Sequence, residues 1–493
     1  MSTKYANYID GSWVPSSSGR TFLSINPATG EVIGEITQST PDDVNAACAA
    51  ASRAFDTWRK TPAPRRGEVI FRAGEIMIRR KDELARLMTM EMGKVLKEAC
   101  GDVQEAIDMA FYMAGEGRRS FGYTTPSELP NKFAMAVRDP VGVVAAITPW
   151  NFPLAIPGWK IFPALVLGNT VVYKPASNTA ITSSMIVQVL EEAGLPPGVL
   201  NLIQGPGSTV GSALAQHPDV TLVSFTGSTE VGRQLTIEIA PQMKRLSLEM
   251  GGKNAIIVLD DADLDLAVDG IVWSAFGTTG QRCTAASRVI VQRGVHDELV
   301  RRLVDRARTL RVGNGLDPNV DVGPVISQAQ LEKVESYVAI GEQEGARLVF
   351  GGHRLARDGM DRGYFFEPTI FDEVRSGMRI AQEEIFGPIT SIIAVETLAD
   401  AIAVNNGVAF GLSSSIYTRN VNQAFEAMRE LTTGLVYVNA GTIGAEVHLP
   451  FGGTRGTGNG HREAGIAALD IFSEWKTIFV DYSGKLQRAQ IDL

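Results

Sequence analysis

The feature that most constrains this chain is a regular alternation across residues 141–250. Residues 141–147, 170–173, 199–203, 222–225 and 245–248 are short apolar runs. Helical stretches lie between them at 154–167, 182–193, 209–215 and 229–239. Five strands joined by helical crossovers specify a parallel, doubly wound α/β sheet. Such sheets bind ligands at the carboxyl ends of their strands. The pattern recurs later: 254–259, 287–291, 347–350, 390–395, 413–417 and 435–439 read as strands, with helices at 297–310, 330–344, 400–405 and 422–430.

The chain has 493 residues, too many for one core, so more than one domain is expected. Strand-like pieces occupy 5–35. Thr40-Pro41-Asp42-Asp43 then starts a helix with a capping hydroxyl, a first-turn proline and acids that suit the helix dipole. Val44, Ala47, Ala51, Phe55 and Trp58 recur at helical spacing, and 65–116 reads as further helices broken near Gly93. Cys48 and Cys100 are expected to be packing residues. Residues 122–140 form a small arm, with Pro126 and Pro130 bracketing a polar loop before a strand at 132–138. A two-stranded arm is unstable alone, so it should pack on another element or another subunit. Residues 473–493 carry a strand-like piece at 477–480 and a polar tail. The expected division is 1–121 with 141–250 as one domain, 251–460 as a second, and 122–140 with 461–493 as bridging elements.

The net charge of −9 argues against a nucleic-acid partner. Three cysteines, Cys48, Cys100 and Cys283, make no disulfide framework and suit a reducing, cytoplasmic setting. Met1 to Ile9 lack a signal pattern, and no run has the length of a membrane span. The five histidines fall in no ligand spacing, so no metal site is expected.

Four stretches carry candidate chemistry. In Gly277-Thr278-Thr279-Gly280-Gln281-Arg282-Cys283, a thiolate nucleophile would need a locally positive, partly open site, supplied by Arg282 and a helix start after the cysteine. The alternative is a buried structural cysteine. Phe225-Thr226-Gly227-Ser228-Thr229-Glu230-Val231-Gly232 follows a strand and opens a helix, where a phosphate is attracted, although any strand-to-helix turn can carry such glycines. In Ile147-Thr148-Pro149-Trp150-Asn151-Phe152-Pro153 two prolines fix the backbone, so Asn151 offers either an amide donor to an oxyanion or a helix cap. Leu248-Glu249-Met250-Gly251-Gly252 ends a strand on a carboxylate flanked by apolar residues, a general base or a surface acid in a turn. Glu383-Glu384-Ile385-Phe386-Gly387-Pro388 adds paired acids of the kind usually solvated.

Together these segments resemble the aldehyde dehydrogenase superfamily over essentially the whole chain. The resemblance rests on Pro149-Trp150-Asn151-Phe152-Pro153, Lys174-Pro175, Phe225-Thr226-Gly227-Ser228, Leu248-Glu249-Met250-Gly251-Gly252, Gly280-Gln281-Arg282-Cys283, Glu384-Ile385-Phe386-Gly387-Pro388 and Pro450-Phe451-Gly452-Gly453, in that order. It implies a Rossmann-type cofactor domain, an α/β catalytic domain, a small oligomerisation arm and a dimer or tetramer. It implies oxidation of an aldehyde to an acid with NAD or NADP. Cys283 would be the nucleophile, Asn151 the oxyanion donor and Glu249 the base, with Lys160 and Glu463 as its proton-relay partners. The cofactor would meet Thr148, Pro149, Trp150, Lys174, Ser177, Gly207, Phe225, Thr226, Gly227, Ser228, Gly232, Glu384 and Phe386.

One departure is informative. After Lys174-Pro175-Ala176, NAD-preferring relatives carry Glu, which repels a 2′-phosphate. Here the residue is Ser177, so use of both cofactors is expected. For the substrate, Arg282, Glu105, Gly444 and Ala445 resemble the α-aminoadipic semialdehyde branch, whereas 147–167 resembles α-ketoglutaric semialdehyde and general bacterial members. Phe451 would join them in the substrate wall. Arg282 would pair either with a substrate carboxylate or with a neighbouring acid. Simple aliphatic or aromatic aldehydes are the alternative substrates. An acyl-CoA-forming relative and a non-catalytic one are disfavoured by the presence of Glu249 and Cys283.

Overall fold

In the computed structural model, which describes residues 3–119, 122–357 and 359–491, strand Val143–Ile147 shows how the first sheet is built. Its side chains alternate between two cores. Val143, Ala145 and Ile147 join one cluster with Val44, Leu214 and Leu235, while Val144 and Ala146 join another with Ile70, Val103 and Phe162. A strand covered on both faces reads as a continuous apolar run, which is why these strands were legible. The first and last residues of the chain, and the expected boundary at 121, fall outside the described residues.

The sheet runs in the order Arg245–Glu249, Val220–Thr226, Val143–Ile147, Thr170–Lys174, Leu200–Leu202 with all five parallel, and Asn7–Ile9 and Ser12–Val14 extend it antiparallel. Strand order reverses between Val143–Ile147 and Val220–Thr226, so a crevice opens beyond Ile147 and Thr226. The second sheet runs Arg347–Phe350, Thr369–Asp372, Ile389–Val395, Arg288–Gln292, Ala255–Val258, Ser413–Tyr417, Leu435–Val438. Ile256 and Val258 face one core while Ala255 and Ile257 face the other.

The helix expected after Thr40 spans Pro41–Trp58, with the Asp43 carboxylate accepting the Thr40 N–H at 2.8 Å. The break near Gly93 is a left-handed cap at φ 94° that ends Lys81–Met92. Lys132–Pro140 pairs along its whole length with Ser473–Asp481 and also with Tyr123–Pro126, so the arm is three-stranded and its last strand is longer than expected.

A strand and a longer helix of the second sheet's layer are among the elements not anticipated. Strand Thr369–Asp372 follows Pro368 and ends on Asp372, so polar and proline signals hid four buried residues. Helix Leu264–Phe276 contains Gly270, against which the Tyr417 hydroxyl packs too closely for a Cβ, and that glycine broke the periodic pattern.

Asp372 is fully buried and binds the Arg347 guanidinium at 2.6 Å and His296 Nε2 at 2.9 Å, while His296 Nδ1 meets Asp297 at 2.8 Å. Burial lowers the His296 pKa, but its hydrogen bonds to the two carboxylates outweigh that and leave it raised above 6.5. A raised folded-state value means that the imidazolium stabilises the fold below the unfolded pKa and that this gain is lost as pH rises through the folded value. His296→Ala should therefore lower the melting temperature more at about pH 5.5 than at about pH 8.5. Thermal scans with an equal or opposite difference would contradict this linkage.

Candidate active site

The loops that leave the crevice bring the two sheets together. Val143–Ile147 runs into Thr148, Pro149, Trp150 and Asn151, Val220–Thr226 runs into Gly227 and Ser228, and Glu249 is the last residue of its strand. From the other sheet comes the turn Gly277–Gly280, whose Thr278 and Thr279 lie at φ 51° and 57°, followed by Cys283 ahead of strand Arg288–Gln292. Asn254 Nδ2 donates to the Cys283 carbonyl at 2.7 Å and to the Ala285 carbonyl at 3.0 Å, and Thr442 Oγ1 donates to the Thr284 carbonyl at 2.7 Å. Asn151 is not a helix cap, because the next helix is Ala155–Val166 with Leu154 at its cap position. Its Nδ2 donates instead to the Gln281 carbonyl at 3.1 Å, two residues before the cysteine.

Cys283 lies in the wall between two cavities, shared with Ile156, Thr226 and Met250. One, of about 140 Å³, is lined on its apolar side by Phe152, Trp159, Ile443 and Phe451, with the Trp159 and Phe451 rings edge to face at 4.9 Å. Its polar groups are Glu249, Glu463, Arg282 and Glu105, and Gly444 and Ala445 close one side. The other, of about 210 Å³, is lined by Pro149, Trp150, Asn151, Gly227, Ser228 and Glu384, with Phe386 edge-on to Trp150 at 5.3 Å.

Glu249 is 3% exposed, and neither carboxylate oxygen has a hydrogen-bond partner among the described residues. Burial, then the Glu463 charge, push its pKa well above the ordinary carboxylate value, against opposing pulls from Lys160 and Arg462. An ordinary surface acid is thereby excluded. Lys160, fully buried, is ion-paired with Glu463 and donates to Ser224 Oγ at 3.0 Å. Gly452, at φ 146°, has no room for a Cβ, which would come within 2.6 Å of Glu249 Oε1.

The cysteine's surroundings correct an expectation. No helix starts after Cys283, and Arg282 turns away from it: Nη2 meets Glu98 at 3.1 Å and Nε donates to Thr278 Oγ1 at 2.8 Å. Burial in the cleft, with Glu384 and Glu249 adding negative charge, pushes the thiol up to about 12. The charged groups that act on the sulfur are therefore carboxyls, not a cation. Arg282 does pair with a neighbouring acid, Glu98, while still lining the first cavity. Glu384 is half-buried, not freely solvated: it accepts the Gly252 N–H at 2.9 Å, and desolvation raises its pKa. Glu383 is the half-exposed acid of the pair and is held by Arg379.

The remaining expected positions line the same sheet edge. The Lys174 carbonyl accepts the Thr148 N–H at 3.2 Å, and Thr148 Oγ1 lies 3.3 Å from the Tyr173 hydroxyl. Lys174 Nζ donates to the Pro175 carbonyl at 2.9 Å, and burial lowers its pKa to about 8. Ser177 Oγ donates to the Gly205 carbonyl at 3.2 Å, and Gly207 opens the next turn. Ser228 caps helix Thr229–Ile239 by accepting the Val231 N–H at 3.3 Å, Phe225 ends within its strand, and Gly232 packs on Met250 without room for a Cβ.

Glu105 lines the first cavity. Burial, then the Asp102 charge, raise its pKa to about 8 against the pull of Arg282 and Lys94. Sequence reasoning missed Gln330 and Lys333, which line the second cavity from helix Gln328–Gln343. Gln330 Nε2 donates to the Ile385 and Phe386 carbonyls at 3.1 and 2.8 Å, fixing the turn that carries Glu384. Nothing in their spacing separated them from ordinary polar helix residues. Among the described residues no group of three or more His, Cys, Asp or Glu could hold a metal ion, and no helix is long and apolar enough to cross a membrane.

Comparison with known proteins agrees with this geometry. The aldehyde dehydrogenase family profile matches residues 13–478. The chain is 45% identical to an alpha-ketoglutaric semialdehyde dehydrogenase of Bacillus subtilis, covering 97% of this chain and 98% of that protein. It is 44% identical to an alpha-ketoglutarate semialdehyde dehydrogenase of Haloferax volcanii, covering 98% and 100%. Its structure superposes on betaine aldehyde dehydrogenase from Staphylococcus aureus in complex with NAD+ with a TM-score of 0.95 at 37% identity, covering 98% and 96%. The chain belongs to the aldehyde dehydrogenase family and is an oxidoreductase of that class.

Because the thiol is held high by burial and by two carboxyls, alkylation of Cys283 by iodoacetamide without cofactor should keep accelerating up to about pH 10. A plateau near neutral pH would show that the thiolate is already formed and would contradict this account of the site.

Proposed function

We propose that this chain oxidises an aldehyde bearing a distal carboxylate to the corresponding diacid, with NAD+ or NADP+, through a thioester on Cys283. The observation that carries the reading is the position of Cys283 in a wall shared by two cavities, with an unpartnered buried carboxyl in one and an opened helix N-terminus in the other.

A dinucleotide fits the second cavity. Thr226 Oγ1 has no partner, Gly227 and Ser228 open a helix whose N-terminus attracts phosphate, and Gly251 leaves room for the Glu384 carboxyl. Glu384 and Lys174 would hold ribose hydroxyls, with Trp150, Phe386, Lys333 and Gln330 around them. A bound oxidised dinucleotide would supply the hydride acceptor. The Cys283 thiol gives up its proton to solvent, Sγ attacks the carbonyl carbon, and the resulting oxyanion would be held by the Asn151 amide and the Cys283 N–H. One such donor is worth about 3 kcal/mol in an acyl-transfer site. Loss of hydride leaves the thioester. Glu249, its pKa raised by burial, takes a proton from water, the hydroxide attacks the thioester carbon, and Cys283 leaves as thiolate. Lys160 and Glu463 pass that proton onward.

The distal carboxylate is supported by the named activities of the relatives above and by Arg282 in the cavity wall. Two of its nitrogens are committed to Glu98 and Thr278, and Nη1 remains for a ligand. Glu105, protonated below about pH 8, offers a neighbouring O–H. The apolar lining by Phe152, Trp159 and Phe451 favours simple aldehydes as the second reading. A matched pair of substrates separates them: kcat/KM for a short semialdehyde acid should exceed that of the neutral aldehyde of equal length. Arg282→Met should cost the acid alone about tenfold. Equal loss on both substrates would favour the second reading, and turnover retained in Cys283→Ser would remove the mechanism itself.

Use of both cofactors rests on Ser177, where no carboxylate opposes a 2′-phosphate. Ser177→Glu should lower kcat/KM with NADP+ far more than with NAD+. An unchanged ratio, or a wild type inert with NADP+, would show that another position discriminates.

The domain division proposed is 1–121 with 141–250 for the cofactor, 251–460 for catalysis, and 122–140 with 461–493 as the arm. The arm's exposed Tyr123, Phe133, Trp475 and Phe479 support a homo-oligomer, dimer or tetramer. The three free cysteines support a reducing cytoplasm.

A further inference from the structure

Helix Leu96–Glu116 belongs to neither sheet, yet it touches both catalytic loops. Glu98, Asp102 and Glu105 stand at i, i+4 and i+7, hence on one face. Glu98 grips the cysteine loop. Its two oxygens accept the Thr278 N–H at 2.8 and 3.0 Å, and it also accepts the Thr278 hydroxyl at 3.2 Å and Arg282 Nη2 at 3.1 Å. Asp102, on the next turn, grips the asparagine loop. Oδ1 accepts the Ala155 N–H at 2.8 Å, and Oδ2 accepts from Lys94 Nζ at 2.9 Å, with both members of that ion pair fully buried.

Two further contacts tie the anchors together. The Phe152 ring, next to Asn151, lies 4.0 Å from Lys94 Nζ and 5.5 Å from the Arg282 guanidinium, so each cation against it belongs to one anchor. Asn151 Nδ2 itself donates to the Gln281 carbonyl. The turn that Glu98 holds has two consecutive threonines at positive φ, a region that branched L-residues avoid, so it needs an external restraint to persist.

We infer that Glu98 and Asp102 are positioning residues, and that this helix acts as a clamp setting the spacing between the Cys283 sulfur and the Asn151 amide. Neither residue touches the reacting atoms. The clamp acts through the backbone of Thr278 on one side and of Ala155 on the other. The inference rests on the roles proposed above for Cys283 and Asn151.

The first burst of reduced cofactor tests it in the full-length enzyme, with NAD+ affinity and melting temperature measured alongside. Displacing a reacting group by about 1 Å can cost a hundredfold, so Glu98→Ala should slow the burst by at least about tenfold. NAD+ affinity should stay within about twofold, because neither Glu98 nor Thr278 lines the cofactor cavity. Glu98→Gln, whose carbonyl still accepts the Thr278 N–H, should recover most of the burst rate. A wild-type burst in Glu98→Ala, a Glu98→Gln as slow as Glu98→Ala, or a matching loss of NAD+ affinity would overturn the inference. Should Glu98→Ala fail to fold, Glu98→Asp decides, since it keeps the charge and withdraws the anchor by one methylene. A slowed burst with unchanged NAD+ affinity supports positioning, and a wild-type burst overturns it. If Cys283→Ser remained active, the proposed mechanism would fail; if it is inactive while the Glu98 variants behave as wild type, only the clamp fails.

Discussion

Burial of the two reacting groups is the constraint on which the rest depends. The Cys283 thiol and the Glu249 carboxyl both stand in a cleft that disfavours charge, and the Glu249 charge adds to the cost of ionising Cys283. A pair of free anions there would repel, and a pair of solvated groups would be too weakly basic or too slow. Burial works against the charged form of both groups, and Arg282 adds no free cation beside the sulfur because it is tied to Glu98. The Lys160–Glu463 pair lies close enough to Glu249 for both charges to act on it, Glu463 raising its pKa and Lys160 lowering it.

The fold makes this arrangement by setting the edges of two parallel sheets against each other. The reversal of strand order in the first sheet opens the crevice, and the second sheet delivers the cysteine on a strained turn across it. Polar side chains with distant partners hold the turn: Asn254 beneath Cys283 and Ala285, Thr442 on Thr284, and Glu98 on Thr278. Rigid support of this kind keeps a reacting atom within a few tenths of an ångström.

The sheets were largely legible in the sequence because their strands are covered on both faces and read as unbroken apolar runs. Thr369–Asp372 was lost to its proline and acids, and Leu264–Phe276 to Gly270, whose missing Cβ answers to Tyr417 in another element. The motifs carrying Cys283, Asn151 and Glu249 were each ambiguous alone and stood out through their order along the chain and their likeness to one family. Partnerships were not legible. Arg282 looked like activation for the thiol, but its acid lies 184 residues earlier in the chain. Gln330 and Lys333 looked like any polar pair on a helix until packing placed them beside Glu384.

The central claim is that Cys283 forms a thioester which Glu249 then releases. Glu249→Gln, mixed with saturating NAD+ and aldehyde and quenched in acid, should gain the mass of one acyl group per chain on the peptide containing Cys283, with a burst of reduced cofactor followed by negligible turnover. An unmodified cysteine peptide together with no burst would contradict the account, since it would place Glu249 before acylation.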